Sequence, residues 1–295
     1  MQSQPVPTTS GETEESRRNF VKVPLVQIDA FADALFEGNP AAVMPLPEWL
    51  PDTVLQQAAT ENNLSETAFL VKDLPVGIQT PDPAHPSYHL RWFTPAVEVD
   101  LCGHATMAAA SYLFDDVHPQ AEKLQFHTRS GWLTVTRPAE GQYTMDFPSE
   151  LPAPVAIDPD IAKALGVPVS EALKATDHIY MVEDAQTVID LAPDLAFLAS
   201  LPVRGTIVTA PGTGTDYDFV SRWFGAEAGV SEDPVTGSAH CQLAPLWAER
   251  LGKQEMLARQ ASARGGTVHI DFAGERTILT GRCVRFMEGT ATLPR

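Results

Sequence analysis

Apolar and polar residues alternate over several short stretches of the chain, the period of strands that bury one face. Such stretches predict strands over Leu25–Phe31, Thr67–Val71, Tyr88–Phe93, Leu124–His127, Leu133–Thr136 and Tyr143–Phe147. Between the first two the period changes: Val54, Leu55, Ala58 and Ala59 fall at helical spacing, which predicts a helix over Asp52–Glu61. The mixture then returns, with helices expected near Asp158–Leu165 and Leu191–Leu198. Strands are expected near Ile179–Val182, Gly205–Thr209, Phe219–Phe224, Val268–Phe272 and Val284–Met287. Phe147 to Pro159 holds four prolines and little periodicity, which places a domain boundary there.

The chain also repeats itself. RWFTPAVEVDLCGHATMAAA from Arg91 and RWFGAEAGVSEDPVTGSAHCQLA from Arg222 share their opening triplet and their small-residue close. Gly103 and Gly237 lie 134 residues apart, and so do Gly131 and Gly265, so the register extends beyond the motif. In each copy an aromatic strand leads through a loop to a glycine that opens a helix of small residues. Pro245 interrupts the second helix and is expected to kink or break it.

At 295 residues the chain suits two domains, drawn here as 23–150 and 151–295, the second an internal duplicate of the first. Residues 1–22 are polar and read as a disordered tail. Within them SRRNFVK resembles the start of a twin-arginine export signal, but Asp29, Asp33 and Glu37 interrupt the apolar segment that export needs. No apolar stretch is long enough for a transmembrane helix. A net charge of −18 repels phosphate backbones and anionic membrane surfaces, so neither nucleic acid nor membrane is expected as a partner. Three scattered cysteines form no disulfide framework, which fits a reducing cytoplasm.

A helix N-terminus exposes unpaired N–H groups and partial positive charge, and a glycine there lets an anion approach. If the halves face each other, Gly103 and Gly237 aim two such termini at one cavity, with Gly237 also supplying torsions that other residues resist. His104 follows the first glycine; Asp233, Thr236, Ser238 and His240 surround the second. Glu66, at the mouth of an apolar strand, suits acid–base chemistry if partly buried. Cys102 could be a thiolate, but no cysteine matches it beside Gly237, which favours a structural role. Metal-ligand spacings and phosphate-loop or dinucleotide motifs are absent, so no metal and no cofactor are expected.

Four segments, DAFADALFEGNPAAV from Asp29, NNLSETAFLV from Asn62, RWFTPAVEVDLCGHAT from Arg91 and GVSEDPVTGSAHCQLAPLWAERLGK from Gly229, together resemble the phenazine biosynthesis PhzF-like family. The resemblance runs from about Leu25 to Met287. It implies an α+β, diaminopimelate epimerase-like fold: two pseudo-symmetric domains, each with mixed sheet wrapped around a central helix, and an active site between them. It implies a cofactor-independent isomerase, often a homodimer, that moves a proton on a small carboxylate such as trans-2,3-dihydro-3-hydroxyanthranilate. The family's SET glutamate matches Glu66, its GHAT histidine His104, and its EDPVTGSA aspartate and serine Asp233 and Ser238. Asn39, Thr236 and the backbone at Gly103 and Gly237 complete the implied substrate-binding set. Related epimerases use one cysteine from each domain; Cys102 resembles the first, and no second thiol is expected with TGSAH. The proline-rich segment from Leu74 to Pro86 departs from the family pattern and is expected to affect access to the cleft.

Overall fold

The computed structural model describes residues 19–225 and 231–295. The first half runs β1 (Phe20–Ala30), β2 (Asn39–Pro45), α1 (Asp52–Asn62), β3 (Glu66–Val71), β4 (Ser87–Phe93), β5 (Glu98–Val99), α2 (Gly103–Tyr112), β6 (Lys123–Thr128), β7 (Gly131–Ala139) and β8 (Gln142–Pro148). The second runs β9 (Ala153–Val155), α3 (Pro159–Leu165), β10 (Glu171–Lys174), β11 (His178–Met181), α4 (Ala185–Ile189), α5 (Leu195–Ala199), β12 (Thr206–Pro211), β13 (Phe219–Phe224), α6 (Gly237–Leu251), β14 (Glu255–Gln260), β15 (Gly266–Ala273) and β16 (Arg276–Pro294).

From β1 through β2, β3, β4, β6 and β7 to β8, neighbouring strands pair antiparallel, parallel, antiparallel, parallel, antiparallel, antiparallel. The same order of directions recurs from β10 through β11, β12, β13, β14 and β15 to β16. β8 and β16 then pair antiparallel with each other, Pro148 opposite Arg276 and Gln142 opposite Arg282, joining both halves into one continuous sheet.

β16 is long enough to serve both halves. Its first part pairs with β8 and β15, while Cys283 to Pro294 pairs with β1 and closes an eight-strand ring in the first half. The chain therefore returns to its N-terminal half, which a cut at 150/151 does not represent. Phe20 to Lys22, expected in the tail, belong to this pairing. Residues 1–18 of that tail, with Ser16 to Arg18 of the SRRNFVK segment, lie outside the described residues.

α2 runs inside the ring. Every residue from His104 to Ser111 is buried, and alanines at 105, 108, 109 and 110 keep the helix thin enough for sheet to pack on all sides. α6 occupies the equivalent place in the second half and is buried from Ala239 to Ala248. Pro245 does not break it. Proline withdraws the N–H that would bond the carbonyl four residues earlier, and that carbonyl, on Cys241, instead accepts from the backbone N–H of Glu150 at 3.1 Å.

Two expectations shift. The helix expected at Leu191–Leu198 is instead a pair, α4 and α5, each started by an aspartate: Asp184 accepts from the Thr187 N–H at 2.7 Å and Asp194 from that of Phe197 at 3.0 Å. β2 had no alternation to betray it, because as an inner strand it is buried at nearly every position. Among the described residues no helix is long and apolar enough to cross a membrane.

The loop from Phe31 to Gly38 fastens the first half to the second. Arg264 donates to the carbonyls of Gly38 and Glu37 at 2.8 and 2.9 Å and pairs with the buried Asp29 carboxylate at 3.0 Å. The Gly38 N–H donates to Gly265 at 2.7 Å. Gly38 has φ +71°, and a Cβ there would collide with the Ala30 carbonyl and lie 2.8 Å from the Ala32 Cβ. Gly38→Ala is therefore expected to cost about 2 kcal/mol or more, from left-handed strain plus the clash. Urea denaturation reads this, and an unchanged midpoint would show that the loop does not hold the seam.

Candidate active site

A cavity of about 430 Å³ lies between the halves. Glu66, Gly103, His104, Asp233, Thr236, Gly237 and Ser238 all line it, and both helix N-termini open onto it. Asn39 does not reach it. Fully buried on β2, it donates through Nδ2 to Asp233 Oδ1 at 2.7 Å and to the Val235 carbonyl at 3.0 Å, a support for Asp233 supplied by the other half of the chain.

The loops that present these groups are fixed alike. Arg91 grips Glu98 with Nε–Oε1 2.7 Å and Nη2–Oε2 2.8 Å; Arg222 grips Glu232 at 2.7 and 2.9 Å. Each guanidinium also lies over the phenylalanine two residues on, at 5.1 Å for Phe93 and 5.0 Å for Phe224.

On the α2 side, Nε2 of His104 lies 3.0 Å from Oε2 of Glu66, and neither buried atom has a hydrogen-bond partner elsewhere among the described residues. Nδ1 of His104 lies 3.5 Å from the Cys102 sulfur. Burial opposes an imidazolium here, yet Cys102 and Glu66 on the two sides of the ring hold its pKa well above the ordinary value. Burial pushes the Cys102 thiol up to about 11, with Glu66 adding to the rise and His104 opposing it. Donor atoms of Glu66, Cys102 and His104 fall within 4.8 Å of one another. The imidazole directs different nitrogens to its two neighbours, an arrangement suited to proton relay more than to one shared ion.

On the α6 side, Asp233 accepts from Asn39 and, at 2.5 Å, from the Thr236 hydroxyl. Gln260 fixes the turn by accepting from the Thr236 N–H at 2.8 Å and donating to the Asp233 carbonyl at 2.7 Å. Burial raises the Asp233 carboxyl to about 6, against the opposing pull of His104 and with Glu66 adding to the rise.

Several expectations need correction. His240 is fully buried, bonded through Nδ1 to the Thr236 carbonyl at 2.8 Å, and pushed down to about 4 by burial, so it is a neutral structural residue. Gly237 needs no special torsion: a Cβ there would meet only the Leu279 side chain, at 3.6 Å. The Leu74–Pro86 segment supplies no lining residue; it packs over β6, where Lys123 reaches Asp82 at 2.8 Å. A second thiol does accompany TGSAH, because Cys241, one turn into α6, lines the cavity. Burial pushes it up to about 12.

Arg204, Phe147 and Glu150 line the cavity without a local motif to announce them, and Trp223 joins them from the second RWF triplet. Arg204 is joined to fully buried Asp177, which also accepts from Gln242 Nε2 at 2.8 Å and Trp223 Nε1 at 3.1 Å.

The chain matches the phenazine biosynthesis-like protein family over residues 28–289. It is 48% identical over 273 residues to an uncharacterized isomerase of Pseudomonas aeruginosa, covering 92% of this chain and all of that one. The crystal structure of a PhzF-family phenazine biosynthesis protein from Enterococcus faecalis superposes with a TM-score of 0.85 at 43% identity, over 92% of this chain and 99% of that one. A hydroxyproline epimerase from Agrobacterium vitis shares the fold at 13% identity, TM-score 0.58, over 92% of each chain. With an α+β, diaminopimelate epimerase-like fold and this run of similarity, the chain belongs to the phenazine biosynthesis-like PhzF family and is an isomerase.

Proposed function

We propose that the protein is a cofactor-independent isomerase that moves a proton on a small carboxylate, of which trans-2,3-dihydro-3-hydroxyanthranilate is the type. The observation that carries this reading is the Glu66–His104 pair, 3.0 Å apart, at the wall of a cavity between two helix N-termini. The substrate carboxylate lies against N–H groups at Gly103 and Gly237, with Thr236 and Ser238 beside it. Glu66 takes a proton from one carbon and returns it to another, and His104 holds the carboxylate in place through the charge cycle. Asp233, supported by Asn39 and Thr236, faces the same space as a second proton-handling group. The same reading places the enzyme in the cytoplasm as a homodimer, with the carboxylate metabolite as its partner.

Glu66→Gln keeps the shape of the side chain but cannot accept the proton. Turnover, read as deuterium incorporation by mass spectrometry across a panel of cyclic and amino-acid-like carboxylates, is expected to fall about 100-fold or more with binding nearly intact. Near-normal exchange would remove Glu66 from the mechanism.

The presence of Cys102 and Cys241 in one cavity raises a two-thiol epimerase as the alternative. Their raised pKa values disfavour it, since a thiol must lose its proton to act as a base. Cys102→Ala and Cys102→Ser are expected to retain substantial exchange; loss as complete as in Glu66→Gln would favour the thiol mechanism.

The raised pKa of Asp233 has a stability signature with a definite sign. Below about pH 4 the carboxyl is protonated in both folded and unfolded chains. As pH rises toward about 6 the unfolded chain ionises first, so the group's contribution to folding becomes unfavourable and then levels off. Asp233→Asn should therefore gain stability relative to the wild type across that window and keep a constant gap above it. Parallel pH–denaturation curves would show that Asp233 titrates normally.

A further inference from the structure

The geometry points to Arg204 as the fixed positive charge that anchors an anionic group of the substrate at the α6 end of the cavity. This rests on reading the cavity as the site of a carboxylate isomerase.

The charges lining the cavity pose the problem. Glu66, Glu150 and Asp233 present three carboxylates against the one imidazole of His104, which Glu66 already engages at 3.0 Å, so an anion entering among them is repelled. Among the described lining residues Arg204 is the sole lysine or arginine.

Its placement is built rather than incidental. Asp177, fully buried, takes the Nε edge of the guanidinium at 2.8 Å and also bonds Nη2, while Nη1 donates to the Ser238 hydroxyl at 3.0 Å. Donors from Gln242 and Trp223 share the Asp177 charge, so the carboxylate orients the guanidinium while its own charge is spread over several partners. The Trp223 ring lies 5.8 Å from the Arg204 carbon, and it fits because Gly205 and Gly225 flank it: a Cβ at either would overlap the indole. A guanidinium has five N–H donors. Asp177 and Ser238 use three, and the Arg204 side chain is 34% exposed beside the first turn of α6. Ser238 is thereby positioned as well, since its oxygen accepts from Arg204 and its own proton is left for a ligand. The α6 end of the cavity thus carries a side-chain cation for an anion, beside Asp233, while the Glu66–His104 pair stands at the α2 end.

Benzoate and benzamide, similar in shape and different in charge, test this by isothermal titration calorimetry. The wild type should bind benzoate about tenfold or more tighter than benzamide, the effect of one charge-assisted contact. Arg204→Met should abolish that preference while leaving benzamide within about twofold. Because methionine strands Asp177 as an unpaired buried carboxylate, the double variant Arg204→Met/Asp177→Asn is measured alongside and should behave alike. A benzoate preference that survives in the folded double variant, or is absent from the wild type, overturns the assignment. If the preference survives but Glu66→Gln still loses exchange, the proton-transfer reading stands without Arg204. If the preference vanishes with Arg204 while Glu66→Gln keeps full exchange, the anion site stands and the acid–base reading falls.

Discussion

The antiparallel pairing of β8 with β16 determines where everything else can lie. It joins equivalent edges of two similarly built sheets, so the glycine-opened helix that follows β5 in one half and β13 in the other points toward the seam from either side. Neither half could form the cavity alone. Glu66 and His104 come from one side, Asp233 and Ser238 from the other, and Asn39 crosses the seam to hold Asp233 from behind. Such positioning needs a rigid seam. The buried Asp29–Arg264 pair and the backbone bonds at Gly38 supply rigidity close to the chemistry.

Within that frame the two ends of the cavity have diverged. The Arg–Glu pairs that brace the loops survive in both halves with nearly equal distances, which is what a scaffold requires. The residues next to the glycines do not match. At α2 an imidazole lies between a carboxylate and a thiol; at α6 a carboxylate of raised pKa sits in a net of amides and a hydroxyl, with a guanidinium nearby. Burial is the shared device that sets protonation in both places.

The sequence disclosed the parts of this site that are local and kept the rest hidden for a physical reason. His104, Asp233 and Ser238 stand in short segments beside glycines, so helix-terminus chemistry pointed to them, and Glu66 stood out as a carboxylate at the mouth of an apolar strand. Arg204, Asp177, Trp223 and Gln242 come from two loops, a strand and a helix, and no spacing along the chain foretells that they meet. Matching the copies position by position set Cys102 against Thr236 and overlooked Cys241, which reaches the cavity from one turn further along. β2 was missed because its burial on both faces erases alternation. Pro245 was read as a flaw in α6, whereas its effect is to free a carbonyl that ties Glu150 to the cavity wall.

The reach of β16 into the first half bears on how the protein is made. Strand β1 emerges from the ribosome before the rest of the fold, but its partner segment, Cys283 to Pro294, emerges only after the whole of the second half. Until then one edge of β1 stays open, a template for pairing with another nascent chain. The N-terminal half thus cannot finish folding vectorially. Its completion waits for the last strand of the second half, and ribosome stalling before that strand leaves the first half exposed to misassembly.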